Sequence, residues 1–526
     1  MRSFSKRERI VFFGAAFLFI LSSVTRIAVA LEENTEFVGV EGGSYFEGVV
    51  GQPTALNPLI STNPVDEDIN KLIYSNLLDL LSDYEVSENG KVYALKLKTD
   101  LKWSDNGPLT SDDVIFTLKT IQDPETRSPL APNWRGVIVE RVSELQIKLT
   151  LPVLYSFFTR NVSELLIVPK HVFGGIPSSN LRLSKYNLEP ISSGPYRFKN
   201  VSIRKDGFIT EYELAINENY AGKKPFIKDF NFKFFGSEKD LLQAFALRKI
   251  NGFGNLSPFD SEKYESQNVV VHKVPMPRYY AIFINQNVNP ALKNKELRYA
   301  LDIAIDKFAL LEVVRDLPQI IESPLFGRDG NPAESENNYN FEEAKKIFES
   351  TNVKLELNLI VPQIDFLVRS AEFVKDAWLK AGADKVNIIA LNPEDLSSNV
   401  IKSRNYETLL FGNALEVPSD LFPFWHSSGR FYPGLNLSLY ENSKADTFFE
   451  KVRQTENENE RESFAGEAAR LIKEDGAAVF LYTLPYTYIH TKNLEGFSLK
   501  DGFLSSPNDR FENVEDWSIL RVRVFK

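Results

Sequence analysis

The spacing of apolar positions changes period along this chain, and each change marks an element. Between Val92 and Leu97, Tyr93, Leu95 and Leu97 alternate with Ala94 and Lys96, the period of a half-buried strand. Asp105-Asn106-Gly107-Pro108 ends that pattern with turn residues. Thr110 then predicts an N-cap with Asp113 three residues on, and Val114, Thr117, Leu118 and Ile121 share one helical face. Helical spacing also predicts helices over 68–81, 157–168, 241–247, 297–305, 341–348 and 371–381, and from 441 to 475 with a polar break at 455–460. Alternation predicts a hairpin over 137–149 and strands at 211–216, 230–234, 355–361, 386–390, 406–411, 479–484 and 487–490. Tyr279–Asn285, YYAIFIN, is a continuous apolar run and predicts a buried strand. Strands alternate with helices through the second half, the order of an α/β layer.

The first residues add a different signal. Arg2, Lys6, Arg7 and Arg9 precede an apolar stretch, Ile10–Leu31, interrupted only by Ser22, Ser23, Thr25 and Arg26. Twenty-two residues from Ile10 through Leu31 match the ~30 Å hydrocarbon core of a bilayer, with the basic end inside. Two readings stand: an uncleaved transmembrane anchor around 10–31, or an export signal cut after Ala28-x-Ala30. The anchor is the expectation adopted, because the apolar run from Ile10 to Val24 is followed by Arg26, which is unusual in a cleavable peptide. Either way the body is extracytoplasmic, periplasmic or at the cell surface. Residues 32–43 read as a linker.

Composition narrows the chemistry. A net charge of −10 with no long basic run after residue 9 argues against nucleic acid as a partner. Cysteine is absent, which excludes disulfides, a thiolate nucleophile and Cys-ligated metal. His171, His272, His426 and His490 stand far apart in sequence, and none forms a metal-ligand spacing. There is no Gly-x-Ser-x-Gly elbow and no phosphate-cradling glycine loop. The chain reads as no enzyme, with no metal and no cofactor.

Several motifs in order carry a resemblance. Trp103, Asp105, Gly107, Pro108, Leu109, Thr110 and the acidic pair Asp112-Asp113 form one, with Asn106 inserted in its turn. Pro169-Lys170, Ser193-Gly194-Pro195-Tyr196, Asn217-x-x-Tyr220 with Lys224-Pro225, and Arg298-x-Ala300 through Asp306-Lys307 follow. Together they resemble the family 5 solute-binding proteins of ABC importers, over about residues 44–525. One acid usual in the family is replaced here, at Arg248-Lys-Ile-Asn251.

The resemblance implies an α/β fold, a two-lobe periplasmic-binding-protein-like clamp. Lobe I would comprise 44–70, 190–283 and 485–526, with an extra subdomain, 71–189, inserted; lobe II would span 284–484. It implies capture of peptides by hinge closure and delivery to ABC permease subunits, by a monomer. It also implies ligand-binding positions. Gly412, Asn413 and Ala414 would run along an edge strand that pairs with an extended ligand through the main chain. Glu416 would hold an α-ammonium, with Asp420 as a rival for that role. Trp425, Tyr279, Tyr280, Asn285 and Phe46 would line the cleft or pack the core. Capture of an oligosaccharide or chelated metal is the alternative within the same class; an anchored hydrolase is the alternative outside it.

Overall fold

A computed structural model describes residues 5–87, 89–255, 268–315, 317–333, 337–351 and 354–526, with main chain only at Arg9 and Ala28. Arg2 lies outside the described residues.

The first lobe is built on a seven-stranded sheet. Its strands are β2 (Ser44–Val50), β7 (Tyr196–Ile203), β8 (Ile209–Ile216), β9 (Asp229–Phe235), β10 (Gly252–Asn255), β11 (Val269–Val274) and β18 (Tyr486–Thr491), in the order β11-β18-β10-β2-β9-β8-β7. Phe230, Phe232 and Phe234 turn to the core as their alternation predicts. The Phe230 ring packs 5.2 Å from Tyr45 and 6.2 Å from Trp517.

A second, four-stranded antiparallel sheet lies between β2 and β7 in sequence: β3 (Leu81–Val86), β4 (Val92–Leu97), β5 (Ile138–Ser143) and β6 (Gln146–Thr150), in the order β3-β4-β6-β5. The helix Ser111–Gln122 starts as its sequence demands. Thr110 caps it, and the Thr110 N–H donates to Asp113 Oδ2 at 2.9 Å. Asn106 takes a φ of 70°, a left-handed turn that Asn tolerates and that accommodates the extra residue. Asp113 does a second job: its Oδ1 accepts from Lys170 N–H at 2.8 Å, which ties the Pro169-Lys170 step to this helix. Two helices differ from expectation. The first runs Pro64–Ile73, capped by Asn63, and breaks before a short turn at Leu77–Leu80. The other stops at Glu164, since Leu166–Pro169 run extended under the first helix's end.

The second lobe has a six-stranded sheet: β12 (Arg278–Ile284), β13 (Gln319–Ile320), β14 (Glu356–Pro362), β15 (Lys385–Leu391), β16 (Thr408–Ala414) and β17 (Ala478–Thr483), in the order β13-β17-β12-β16-β14-β15. Helices cover both faces. Ile282 and Ile284 pack with Leu301 and Trp378 on one side, while Ala281 and Phe283 pack with Phe449 and Ile472 on the other. That explains the unbroken apolar run of β12, which has no solvent face.

The chain passes between the two large sheets twice: at Pro275-Met276-Pro277, from β11 to β12, and at Leu484-Pro485, from β17 to β18. An expected boundary after residue 283 assigned β12 to the first lobe. Its pairing with β16 and β17 places it in the second. Arg278 spans both crossings. Its Nε donates to Leu484 O at 3.1 Å and its Nη2 to Pro485 O at 3.0 Å.

The expected linker at 32–43 also differs. The apolar helix runs Lys6–Asn34 and feeds directly into β1 (Thr35–Gly39), which pairs antiparallel with β19 (Arg521–Phe525). A polar, glycine-bearing composition hid a strand whose partner lies at the other end of the sequence.

Candidate cleft between the lobes

The strand β16 ends at the mouth of the cleft. On one side it pairs with β12 along its whole length, Arg278↔Ala414 through Ile284↔Thr408. On the other side it meets β14 only at Thr408 and Leu409. Asn285 N–H donates to Glu407 O at 2.9 Å and Leu415 N–H donates to Pro277 O at 2.7 Å. Odd-numbered residues of β16 therefore bond toward β12, and antiparallel alternation turns the N–H and C=O of Gly412 and Ala414 the opposite way. There β14 has already diverged. Among the described residues this stretch is an open sheet edge. Gly412 is required beside it: a Cβ there would stand 2.7 Å from Cε1 of Tyr280, its cross-strand neighbour.

The chain beyond the edge carries the charged groups. Glu416 makes no ion pair or hydrogen bond among the described residues and remains open to water. Burial raises its carboxyl above the ordinary value; Arg160 pulls it down, and Glu164 and Asp420 push it up again. Because solvent still reaches the side chain, that shift reflects partial enclosure by the cleft walls and is screened. Across the cleft, on the first helix, Glu67 is pushed up to about 7, by burial first, then by Asp68, Asp66 and Glu416. Two partly enclosed carboxylates, one from each lobe, thus feel each other, while Arg160 and Arg453 act on Glu416 from a distance.

Asp420 is differently placed. It is buried and takes Arg453 in a fork, with Nε 3.0 Å from Oδ1 and Nη2 2.8 Å from Oδ2. Arg453 in turn lies 4.0 Å over the Phe422 ring and 5.3 Å over Tyr155 of the inserted subdomain. Next to it, Ser156 N–H donates to Arg453 O at 2.7 Å, and the Ser156 hydroxyl donates to Thr455 O at 2.7 Å. The lobes therefore touch through Tyr155-Ser156 on one side and Arg453–Thr455 on the other. Beside this contact a cavity of about 500 Å³ opens between Phe157 and Arg160, Phe503, Phe326 and the Val417–Ser419 turn. That volume lies within the ordinary range for a small-ligand site.

Other expected positions fall elsewhere. Tyr279, Asn413 and Trp425 meet in the second lobe's core, where Asn413 Nδ2 and Trp425 Nε1 both donate to Tyr279 Oη at 3.0 Å. Tyr279 and Trp425 are fully buried and Asn413 nearly so. Of the two alternatives expected for Tyr279 and Trp425, lining the cleft or packing the core, the side chains take the core, and the Asn413 side chain, expected along the edge strand, turns into that core to join the Tyr279 hydroxyl. Asn285 is buried and donates to Arg404 O at 2.9 Å, a structural bond. Phe46 packs on the helix Glu238–Ala246 with the Lys233 ammonium 4.3 Å over its ring. Tyr280 is half-buried against Phe366 and Tyr482. Sequence reasoning missed Arg278, Arg453, Ser156 and Glu67; only Glu67 had a local signal, as the middle of Asp66-Glu67-Asp68.

The histidines are not all apart. His272 and His490 sit on adjacent strands with their Nε2 atoms 2.9 Å from each other. Among the described residues no three metal-ligating side chains converge.

The family profile described as bacterial extracellular solute-binding proteins, family 5 Middle, matches residues 78–431, two thirds of the sequence. This chain belongs to that family. Its members are extracellular binding proteins, and this one is a solute-binding protein and not an enzyme. The oligopeptide-binding protein AppA of Bacillus subtilis is 25% identical over 525 residues, covering 91% of this chain and 92% of AppA. The crystal structure of the ABC transporter substrate-binding protein CtaP from Listeria monocytogenes superposes with a TM-score of 0.79 at 24% identity, covering 91% of this chain and 99% of CtaP. AppA in complex with a nonapeptide superposes with a TM-score of 0.76 at 22% identity, covering 92% of this chain and all of AppA. These likenesses establish the two-lobe clamp of substrate-binding proteins as the fold.

Proposed function

We propose that this chain captures peptides in the cleft and presents them to an ABC permease, held at the membrane by its uncleaved apolar helix. The observation that carries the peptide reading is the open edge of β16 at Gly412 and Ala414, two residues before the unpaired Glu416. A peptide laid along that edge bonds through its main chain, so the edge accepts many side chains. Its α-ammonium then meets Glu416, with Glu67 facing from the other lobe. Asp420 drops out of that role because Arg453 already fills it. The peptide-binding names of relatives such as AppA support the same reading. Closure brings Tyr155-Ser156 onto Arg453–Thr455, and the two Pro-containing crossings, clamped by Arg278, are the hinge.

Mass spectrometry of small molecules released on denaturing the purified protein tests this. Short peptides of mixed sequence are expected. A single sugar or metal chelate would keep the importer role and refute the peptide edge. If nothing is released, titration with a synthetic peptide pool decides, and absence of binding refutes the reading.

A further inference from the structure

The apolar helix and the first lobe are joined without slack. The helix is 29 residues long, and none of its most apolar 18-residue stretch is buried in the protein. Its apolar part ends at Leu31. Only Glu32, Glu33 and Asn34 intervene before β1, a rise of ~4.5 Å along a helix. The interfacial layer beyond the hydrocarbon is ~5–7 Å deep on each side of a bilayer. With the helix spanning the membrane, the β1–β19 ribbon therefore starts inside the headgroup layer.

The junction is also bonded. Lys526 N–H donates to Asn34 O at 2.9 Å, and Arg523 Nε donates to Thr35 Oγ1 at 2.7 Å, so β19 grips the last turn of the helix. From the ribbon the chain enters the first lobe through Val40 N–H to Leu520 O at 3.0 Å and Gly42 N–H to Phe226 O at 2.8 Å.

The two faces of this ribbon differ. Directly opposed residues share a face, so Thr35 with Phe525, Phe37 with Arg523, and Gly39 with Arg521 form one side. The other side carries Glu36 with Val524 and Val38 with Val522. On the first side Phe525 is 76% exposed and Phe37 is 56% exposed. The Arg521 and Arg523 guanidiniums lie 4.8 and 5.4 Å from the Phe37 ring centre. Arg521 also pairs with Glu495, so this face combines exposed aromatic rings with arginines that keep donors free for a further anion. They are the chemistry found where a protein meets lipid headgroups, with rings at the boundary and guanidiniums reaching phosphates. Phe525 stands opposite Thr35, at the ribbon end nearest the helix.

We propose that the ribbon face bearing Phe37, Arg521, Arg523 and Phe525 lies in the headgroup layer of the bilayer that the apolar helix spans, and fixes the first lobe on the membrane surface. The inference rests on the helix being retained as a span. It implies that the second lobe, which the chain reaches through the two crossings, is the one that swings.

The absence of cysteine makes the test direct. The full chain is placed in nanodiscs as single-cysteine variants Phe525→Cys, Val522→Cys and Lys205→Cys, the last in the turn between β7 and β8 at the sheet end opposite the start of β2, each labelled with an environment-sensitive dye. Headgroup-spin-labelled lipid should quench the label at 525 at least twofold more than at 522 on the opposite face, and leave 205 unquenched. Equal quenching at 525 and 522 overturns the proposal, as does a label at 525 shielded from aqueous iodide but not quenched by lipid, which would put protein on that face. Intact-mass analysis of protein from native membranes checks the span: a chain lacking residues through Ala30 removes the anchor, and with it the ribbon's bilayer.

Discussion

Replacing Glu416 by Gln changes one charge in a side chain that makes no hydrogen bond or ion pair among the described residues. Stability should be unaffected or slightly raised, because Glu164, Asp420 and Glu67 lose a like-charged neighbour. Binding should behave differently. A hydrogen bond to a charged group contributes about 1.5–3 kcal/mol. At ~1.4 kcal/mol per decade, Glu416→Gln should weaken peptide binding about 10- to 150-fold. Titration calorimetry with one free and one N-acetylated peptide separates the cause. Acetylation should cost the wild type about as much as the mutation does, and cost Glu416→Gln little, since both remove the same interaction. Asp420→Asn provides the contrast. It breaks the buried fork with Arg453, so its melting temperature should fall while any ammonium-specific preference survives. A Glu416→Gln protein that binds free and acetylated peptides in the wild-type ratio would refute the assignment.

Ala414→Pro deletes an N–H that faces away from β12; the lobe should fold, and peptides of every sequence should bind about 3- to 10-fold more weakly, checked with a mixed pool. Ser156→Ala removes a hydroxyl bonded to the Arg453 and Thr455 carbonyls, about 1 kcal/mol, so the closed-to-open ratio should drop about fivefold, read by inter-lobe fluorescence transfer. Glu67 binds its proton more tightly in the folded protein than in the unfolded chain, so its contribution to stability is full below the ordinary carboxylate pKa and is lost as pH rises to about 7. The melting temperature of Glu67→Gln relative to wild type should therefore climb between pH 5 and 8 without ligand, and a flat difference would refute the enclosure of Glu67. Arg278→Ala should loosen the hinge, since Leu484 and Pro485 lose their donor; small-angle scattering should report a more open ligand-free ensemble.

The sequence by itself determined the kinds of element and the family. Period-two alternation made β4, β8 and β9, and Thr110 with Asp113 set where the following helix starts, because periodicity and capping are local and act within a few residues. The YYAIFIN run announced a strand buried on both faces, and β12 is one. The motifs at 103–113, 193–196 and 217–225 gave the family because they recur in order. Tertiary structure decided which side chains face the cleft. An apolar aromatic residue suits a cleft wall and a core equally, so the sequence leaves Tyr279 and Trp425 open between the two; the packing that brings Asn413 and Trp425 onto the Tyr279 hydroxyl puts both in the core. The open edge of β16 depends on where β14 stops pairing, about 50 residues earlier in the chain; Arg453 reaches Asp420 from a later helix, and β1 pairs with β19 from the opposite end of the sequence. Pattern along a chain reports what each residue prefers; which residues meet is fixed by how the layers close on one another.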